Sequence, residues 1–172
     1  FCYVPSVYRK MLHTFLEGIG KLHEEVVIRR HSPIDVMRSQ LLDKKGKPRY
    51  ADPDDRRVIY ASPATDVAAN MELVKETVEA CALILELTHW QIRLLSKSNL
   101  LNRVADRLLR REGSGYSQED VLKRVMFGFS TGTLDDKEAA AFEVGTAKVS
   151  KRIESLHLLQ DAGFRTYGMI CP

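Results

Sequence analysis

Cysteine is scarce in this chain: three in 172 residues, at positions 2, 81 and 171. Thiols so few, so widely spaced and odd in number make no disulfide framework, and they suit a reducing, cytoplasmic compartment. No uninterrupted apolar run approaches the roughly 18 residues of a membrane span, which excludes a transmembrane helix. Excess charge of one sign is also missing. Lys and Arg number 26 against 23 Asp and Glu, a net charge of +3, and the signs interleave along the chain. Dedicated nucleic-acid binders concentrate basic residues on one face or stripe, so charge alone argues for no particular partner here. There is no His-Glu-x-x-His spacing, no Gly-rich phosphate loop and no visible nucleophile triad. The opening Phe1-Cys2-Tyr3-Val4-Pro5 has neither Met nor a basic-then-apolar leader, and it reads as the start of a fragment.

What is present is an ordinary globular mix, 44% hydrophobic and 28% charged, at a length that suits a single domain over 1–172. Short β-branched runs alternate with longer helical patterns. Strands are expected at 25–28, 57–61, 91–95, 125–129 and 165–171. Ser32 and Pro33 open a helix that carries Ile34, Met37 and Leu41 on one face. The charged stretch 43–57, with Gly46, Pro48 and Pro53, reads as a surface loop. A long helix over 70–87 has Met71, Val74, Val78, Cys81 and Leu85 as its buried stripe, and Glu72, Lys75, Glu76 and Glu79 as its wet face. Further helices are expected at 100–111 and at 149–162, the latter stopped by Gly163. Ser117 with Asp120 reads as a cap before a short turn. About five strands, each separated by more than a hairpin, require crossovers, so the fold class is α/β with a parallel sheet.

In such folds ligands sit at the carboxyl ends of the strands, and the residues just past these strands do turn polar. Arg29-Arg30-His31, Ser62-Pro63-Ala64-Thr65-Asp66, Ser96-Lys97-Ser98-Asn99 and Ser130-Thr131-Gly132-Thr133 follow four of them. Any one hydroxyl could simply cap the next helix; four polar ends together suggest a rim for a polar ligand. The histidines, among them His13, His23, His89 and His157, lack metal-ligand spacing. Paired arginines at 29–30, 56–57 and 110–111, with Tyr8 and Tyr50 to stack, leave a phosphate track open as an alternative.

In their shared order these segments resemble the radical S-adenosylmethionine (SAM) superfamily, in its spore photoproduct lyase-like branch (DNA repair photolyase-like). Phe1-Cys2-Tyr3-Val4-Pro5-Ser6 is similar to the end of the Cys-x3-Cys-x-aromatic-Cys cluster motif. Val58 to Asp66, Ile92 to Ser98, Phe129 to Asp136, Glu143 with Lys151-Arg152-Ile153-Glu154, and Asp161 to Thr166 leading into Ile170-Cys171-Pro172 follow in the family's order. The resemblance implies a partial (β/α) barrel whose N-terminal strand is missing here. It implies a 4Fe–4S cluster held by three cysteines, with one iron open to SAM, and a reductant protein such as flavodoxin or ferredoxin. The implied reaction is reductive cleavage of SAM to a 5′-deoxyadenosyl radical that takes hydrogen from a substrate, nucleic acid being one candidate.

Residue by residue, Cys2 would be an iron ligand and Tyr3 would pack beside SAM. Thr65, Lys97 and Ser130 would be cofactor contacts, and Asp66 would fix its loop. Glu143 and Arg152 would form an exposed pair over the barrel mouth. Two departures stand out. The first two cluster cysteines are absent, so they are expected upstream. Pro63 occupies the place of the lyase's hydrogen-donating cysteine, and it has no thiol to give. Cys171, at the end of the last strand, is either a substitute donor or a small buried hydrophobe. The competing reading is an α/β binding module without redox chemistry.

Overall fold

A computed structural model describes residues 18, 20, 31–61 and 66–170. The chain divides into two compact units, Phe1–Pro33 and Ile34–Pro172. The sheet, its helices and the candidate site belong to the second. The expected strand at 25–28 lies outside the described residues, as do Cys2, Tyr3, Thr65 and Cys171.

The β-branched and aromatic runs form β1 (Val58–Ala61), β2 (Gln91–Ser96), β3 (Val125–Thr131) and β4 (Arg165–Ile170), all parallel and paired in chain order. In register, Ile59 meets Ile92, Leu94 meets Phe127, and Phe127 meets Thr166. The connections run through α2 (Met71–Leu87), α3 (Leu101–Leu109), α4 (Gln118–Arg124), α5 (Asp136–Phe142) and α6 (Val149–Asp161); α1 (Pro33–Leu41) precedes β1. Crossovers keep one hand, so a strand order that follows the chain without reversal brings successive helices to the same face. The result is an α/β fold with a four-stranded parallel sheet flanked by helices.

Alternation along the strands sorts the two sheet faces. Ile92, Leu94, Val125, Phe127 and Phe129 enter the core beneath Val74, Val78, Cys81, Val104 and Leu108 of α2 and α3. Phe127 packs edge-on against Phe164, ring centroids 4.9 Å apart. On the other face Tyr60 and Arg93 are exposed, and Met126, Tyr167 and Met169 are half-buried. The Tyr60 hydroxyl lies 3.8 Å from Met169 Sδ although these residues belong to the two outer strands. On a flat sheet those strands would be about 14 Å apart. The two side chains therefore lean toward each other across this face.

Capping explains the helix ends. Asn70 Oδ1 accepts from Glu72 N and Leu73 N at the start of α2. That helix has no basic residue in its last turn, and Arg124, from the end of α4, serves instead. Its guanidinium donates to the carbonyls of Ile84, Leu85, Thr88 and Trp90 at 2.7–3.3 Å, placing a cation where the helix dipole is negative. Ser117 and Asp120 form a full capping box on α4. Gly163 ends α6 at φ +88°, a conformation that side chains disfavour. Helix α5 is unforeseen from the sequence; Asp135 caps it by accepting from Lys137 N and Glu138 N. Met71, assigned above to the buried stripe, is exposed, because it is the first helical residue and lies beyond the rim of the core.

The amino ends of β1 and β2 are pinned separately. Arg57 stacks on Tyr50 and Trp90, 4.8 and 4.5 Å from their ring centroids. It also bridges Asp55, which accepts from Trp90 Nε1 at 2.7 Å. The Arg57 and Trp90 hydrogen bonds hold the Asp55 carboxyl well below the usual carboxylate range.

Candidate functional site

The carboxyl ends of β1, β2 and β3 converge on a network of charged side chains. Asp66, just beyond β1, accepts from Ser96 Oγ (2.6 Å) and Ala68 N (2.9 Å) through Oδ1, and from Lys97 N (2.7 Å) through Oδ2. It thereby ties the loop after β1 to the end of β2, the role the sequence suggested for it. Ser96 and Ser98 are local anchors: Ser98 N donates to Ser96 Oγ and Leu100 N to Ser98 Oγ.

Lys97, a third exposed, reaches across to the loop after α5, where its Nζ lies 2.5 Å from Glu143 Oε1. Glu143 also faces Arg152 of α6, Nη1 to Oε2 being 2.7 Å. That second contact is ionic, because no hydrogen-bond geometry is met at Oε2. Arg152 itself is 1% exposed. Its Nε donates to Ala147 O (2.8 Å), its Nη1 to Ser130 O (2.7 Å) and its Nη2 to Thr146 Oγ1 (2.6 Å). The loop closes on itself as Thr146 Oγ1 donates to Glu143 O and Ala147 N to Lys97 O. Burial works to raise the Glu143 carboxyl, but the Lys97 hydrogen bond and the charges of Lys97 and Arg152 outweigh it and hold it below its ordinary value. The Glu143–Arg152 pair expected from the sequence is therefore present, but it is buried rather than exposed. The short helix α5 and the 143–148 loop fold it inward, and a sequence read without α5 gives no reason to expect that.

Ser130 stands in β3 beside the continuation of β2, since Ser96 is register partner to Phe129. Its carbonyl is bound by Arg152, and its hydroxyl has no hydrogen-bond partner among the described residues. The neighbouring hydroxyls are committed to the turn: Thr131 Oγ1 donates to Thr133 O, and Thr133 Oγ1 to Glu138 Oε2. So the structure brings together Asp66, Lys97, Ser130, Glu143 and Arg152, whereas Thr131, Thr133, Ser96 and Ser98 behave as caps. Among the described residues no group of His, Cys, Asp and Glu could hold a metal ion. His89 and His157 are exposed. No helix among them is long and apolar enough to cross a membrane.

Of the arginines proposed as a phosphate track, Arg29 and Arg30 lie outside the described residues, as does Tyr8, and three of the other four are matched by acids. Arg57 pairs with Asp55, Arg110 with Asp106 and Arg111 with Glu79. The sequence reading also missed Arg124 and the pairing of Gly128 with Tyr167. Arg124 closes a basic helix end, a usable signal; the Gly128 contact spans adjacent strands and leaves no local one. An open groove of about 530 Å³, lined by Met37, Leu41, Tyr50, Ile84 and Trp90 among others, lies by the amino ends of the strands, away from the rim.

Fold and rim together define an α/β protein of the parallel-sheet type with a charge-paired cluster at the carboxyl ends of its strands. The chain matches no protein-family model, no curated protein and no solved structure.

Proposed function

We propose that the chain is the SAM-binding portion of a radical SAM-type core, its four strands and helices forming part of a (β/α) barrel. The observation that carries this reading is the Lys97–Glu143 pair next to the Ser130 hydroxyl, unpartnered among the described residues, at adjacent strand ends. An α-amino acid zwitterion complements such a pair. Its carboxylate would take the Lys97 ammonium, its ammonium the Glu143 carboxylate, and Ser130 Oγ would donate to the carboxylate or ribose. Arg152 would keep Glu143 in place as Lys97 turns to the ligand. Asp66 would hold the Lys97 backbone, while Thr65 and Tyr3 would complete the contacts.

In this family a 4Fe–4S cluster supplies the electron that cleaves the sulfonium, drawn from a flavodoxin- or ferredoxin-like donor. The thiols of this chain do not make up a three-cysteine set. Cys81 is 2% exposed in the core, with burial pushing its thiol up to about 12, so it is no ligand. Only Cys2 and Cys171 remain. The part assigned to this chain is binding, orienting and screening SAM. Cys2 is proposed as one ligand, and the 5′-deoxyadenosyl radical and its hydrogen abstraction as the activity of the assembled enzyme. The second reading is a binding module without redox chemistry.

The test is expression of the whole open reading frame under anaerobic conditions. The enzyme reading expects about four irons per chain, 5′-deoxyadenosine on addition of dithionite and SAM, and SAM affinity at least about tenfold weaker in Lys97→Ala. Iron-free protein that makes no 5′-deoxyadenosine but binds SAM through Lys97 selects the module. SAM binding unchanged in Lys97→Ala refutes the site.

A further inference from the structure

The sheet face that bears Tyr60 and Arg93, below the rim, carries a second feature. Gly128 of β3 has no side chain, and the Tyr167 ring from β4 occupies that space. A Cβ at position 128 would lie 2.3 Å from Tyr167 Cζ and 2.5 and 2.6 Å from its two Cε atoms. Near-equal distances to these three atoms put that point over the face of the ring rather than beyond its edge. The ring therefore lies flat on the sheet. Its hydroxyl crosses β3 to donate to Leu94 O of β2 at 3.1 Å. One π face is pressed on the Gly128 backbone, and the other is turned away from the sheet.

Arg93 of β2 projects from the same face, one residue before Leu94, and is exposed. Among the described residues it has no ion pair or hydrogen bond. Burial and the neighbouring Tyr60 hydroxyl push the Tyr167 hydroxyl up, and the Arg93 charge opposes them. Arg165 shares the face, but it donates to the Lys123 carbonyl. No Asp or Glu lies in any of the four strands. The face thus offers a flat aromatic platform with Tyr60 against its hydroxyl edge, two thioethers from Met126 and Met169, and a guanidinium uncommitted among the described residues.

We propose that this face binds a small planar aromatic carboxylate, its ring stacked on Tyr167 and its carboxylate bridged by Arg93. A guanidinium fork matches a carboxylate in two parallel hydrogen bonds, and one free cation suits a monoanion better than a phosphate dianion. Offset stacking on an immobilised tyrosine adds affinity without ordering a side chain. The proposal stands on the sheet face alone and is independent of SAM binding at the rim.

Indole-3-acetate is the probe, with indole-3-acetamide as its neutral counterpart and adenosine 5′-monophosphate as the phosphate arm. Saturation-transfer NMR and calorimetric titration are run without SAM on the whole protein. Binding of the acetate is expected, about tenfold or more tighter than the amide, with a comparable loss in Arg93→Met. Arg93 is solvent-exposed, so that variant folds. Tyr167→Phe should retain binding and Tyr167→Leu should lose it. Equal binding of acid and amide, unchanged binding in Arg93→Met, tighter binding of the nucleotide, or no binding of the acetate overturns the proposal.

Discussion

Replacing Glu143 by Gln removes one charge from the rim with almost no change in shape. The structure makes this costly. Arg152 is 1% exposed, and among the described residues Glu143 is its only counter-ion, at 2.7 Å. Breaking a buried pair from one side leaves an uncompensated cation in low dielectric, a loss of roughly 3–5 kcal/mol. For a chain of this length that is roughly 6–20 °C in Tm, or about 2 M in urea midpoint at a slope of about 2 kcal/mol/M. Lys97 is a contrasting partner. With its side chain 37% exposed, water replaces much of what the pair supplies, and Lys97→Met should cost about 1 kcal/mol or less. Double-mutant cycles by urea denaturation should thus give a Glu143–Arg152 coupling well above that of Glu143–Lys97. The pH dependence follows from the depressed carboxyl. A folded-state pKa below the ordinary 4.5 gives stability that is complete above that value and lost as pH falls through the folded pKa. The stability gap between wild type and Glu143→Gln should then narrow as acid is added. A variant less than 1 kcal/mol below wild type at pH 7, or a gap that widens in acid, would refute the reasoning.

Three further outcomes are expected. Gly128→Ala places a methyl against the Tyr167 ring and should cost about 1–3 kcal/mol in urea unfolding; most of that should vanish in a Tyr167→Ala background, and full additivity would contradict the described contact. Arg124→Met removes a charged donor from four carbonyls at the end of α2, of which Ile84 O keeps Thr88 N and Oγ1, and should cost roughly 2–3 kcal/mol, read as a drop in Tm. Cys81, buried with its thiol raised to about 12, should resist iodoacetamide at pH 8 until the protein unfolds; rapid alkylation of its peptide in the native protein would place it outside the core.

The sequence alone determined the elements whose cause is local. Asn70, Ser117 with Asp120, and Gly163 mark helix ends because a cap needs only neighbours within three or four residues. The parallel α/β class followed from connections too long for hairpins. Asp66 and Lys97 were legible as rim residues because a strand's end fixes which residues come next. Helix α5 was missed although Asp135 followed by Asp-Lys-Glu-Ala-Ala-Ala carried its signal. Tertiary structure decided what depends on distant partners. Whether Glu143–Arg152 is exposed or buried, and whether Lys97 meets a carboxylate, rests on how the 143–148 loop folds over β3. The flat seating of Tyr167 on Gly128 joins positions 39 residues apart. Local propensity has a range of about one helical turn, whereas burial and ion pairing are set by whatever the chain brings back from elsewhere.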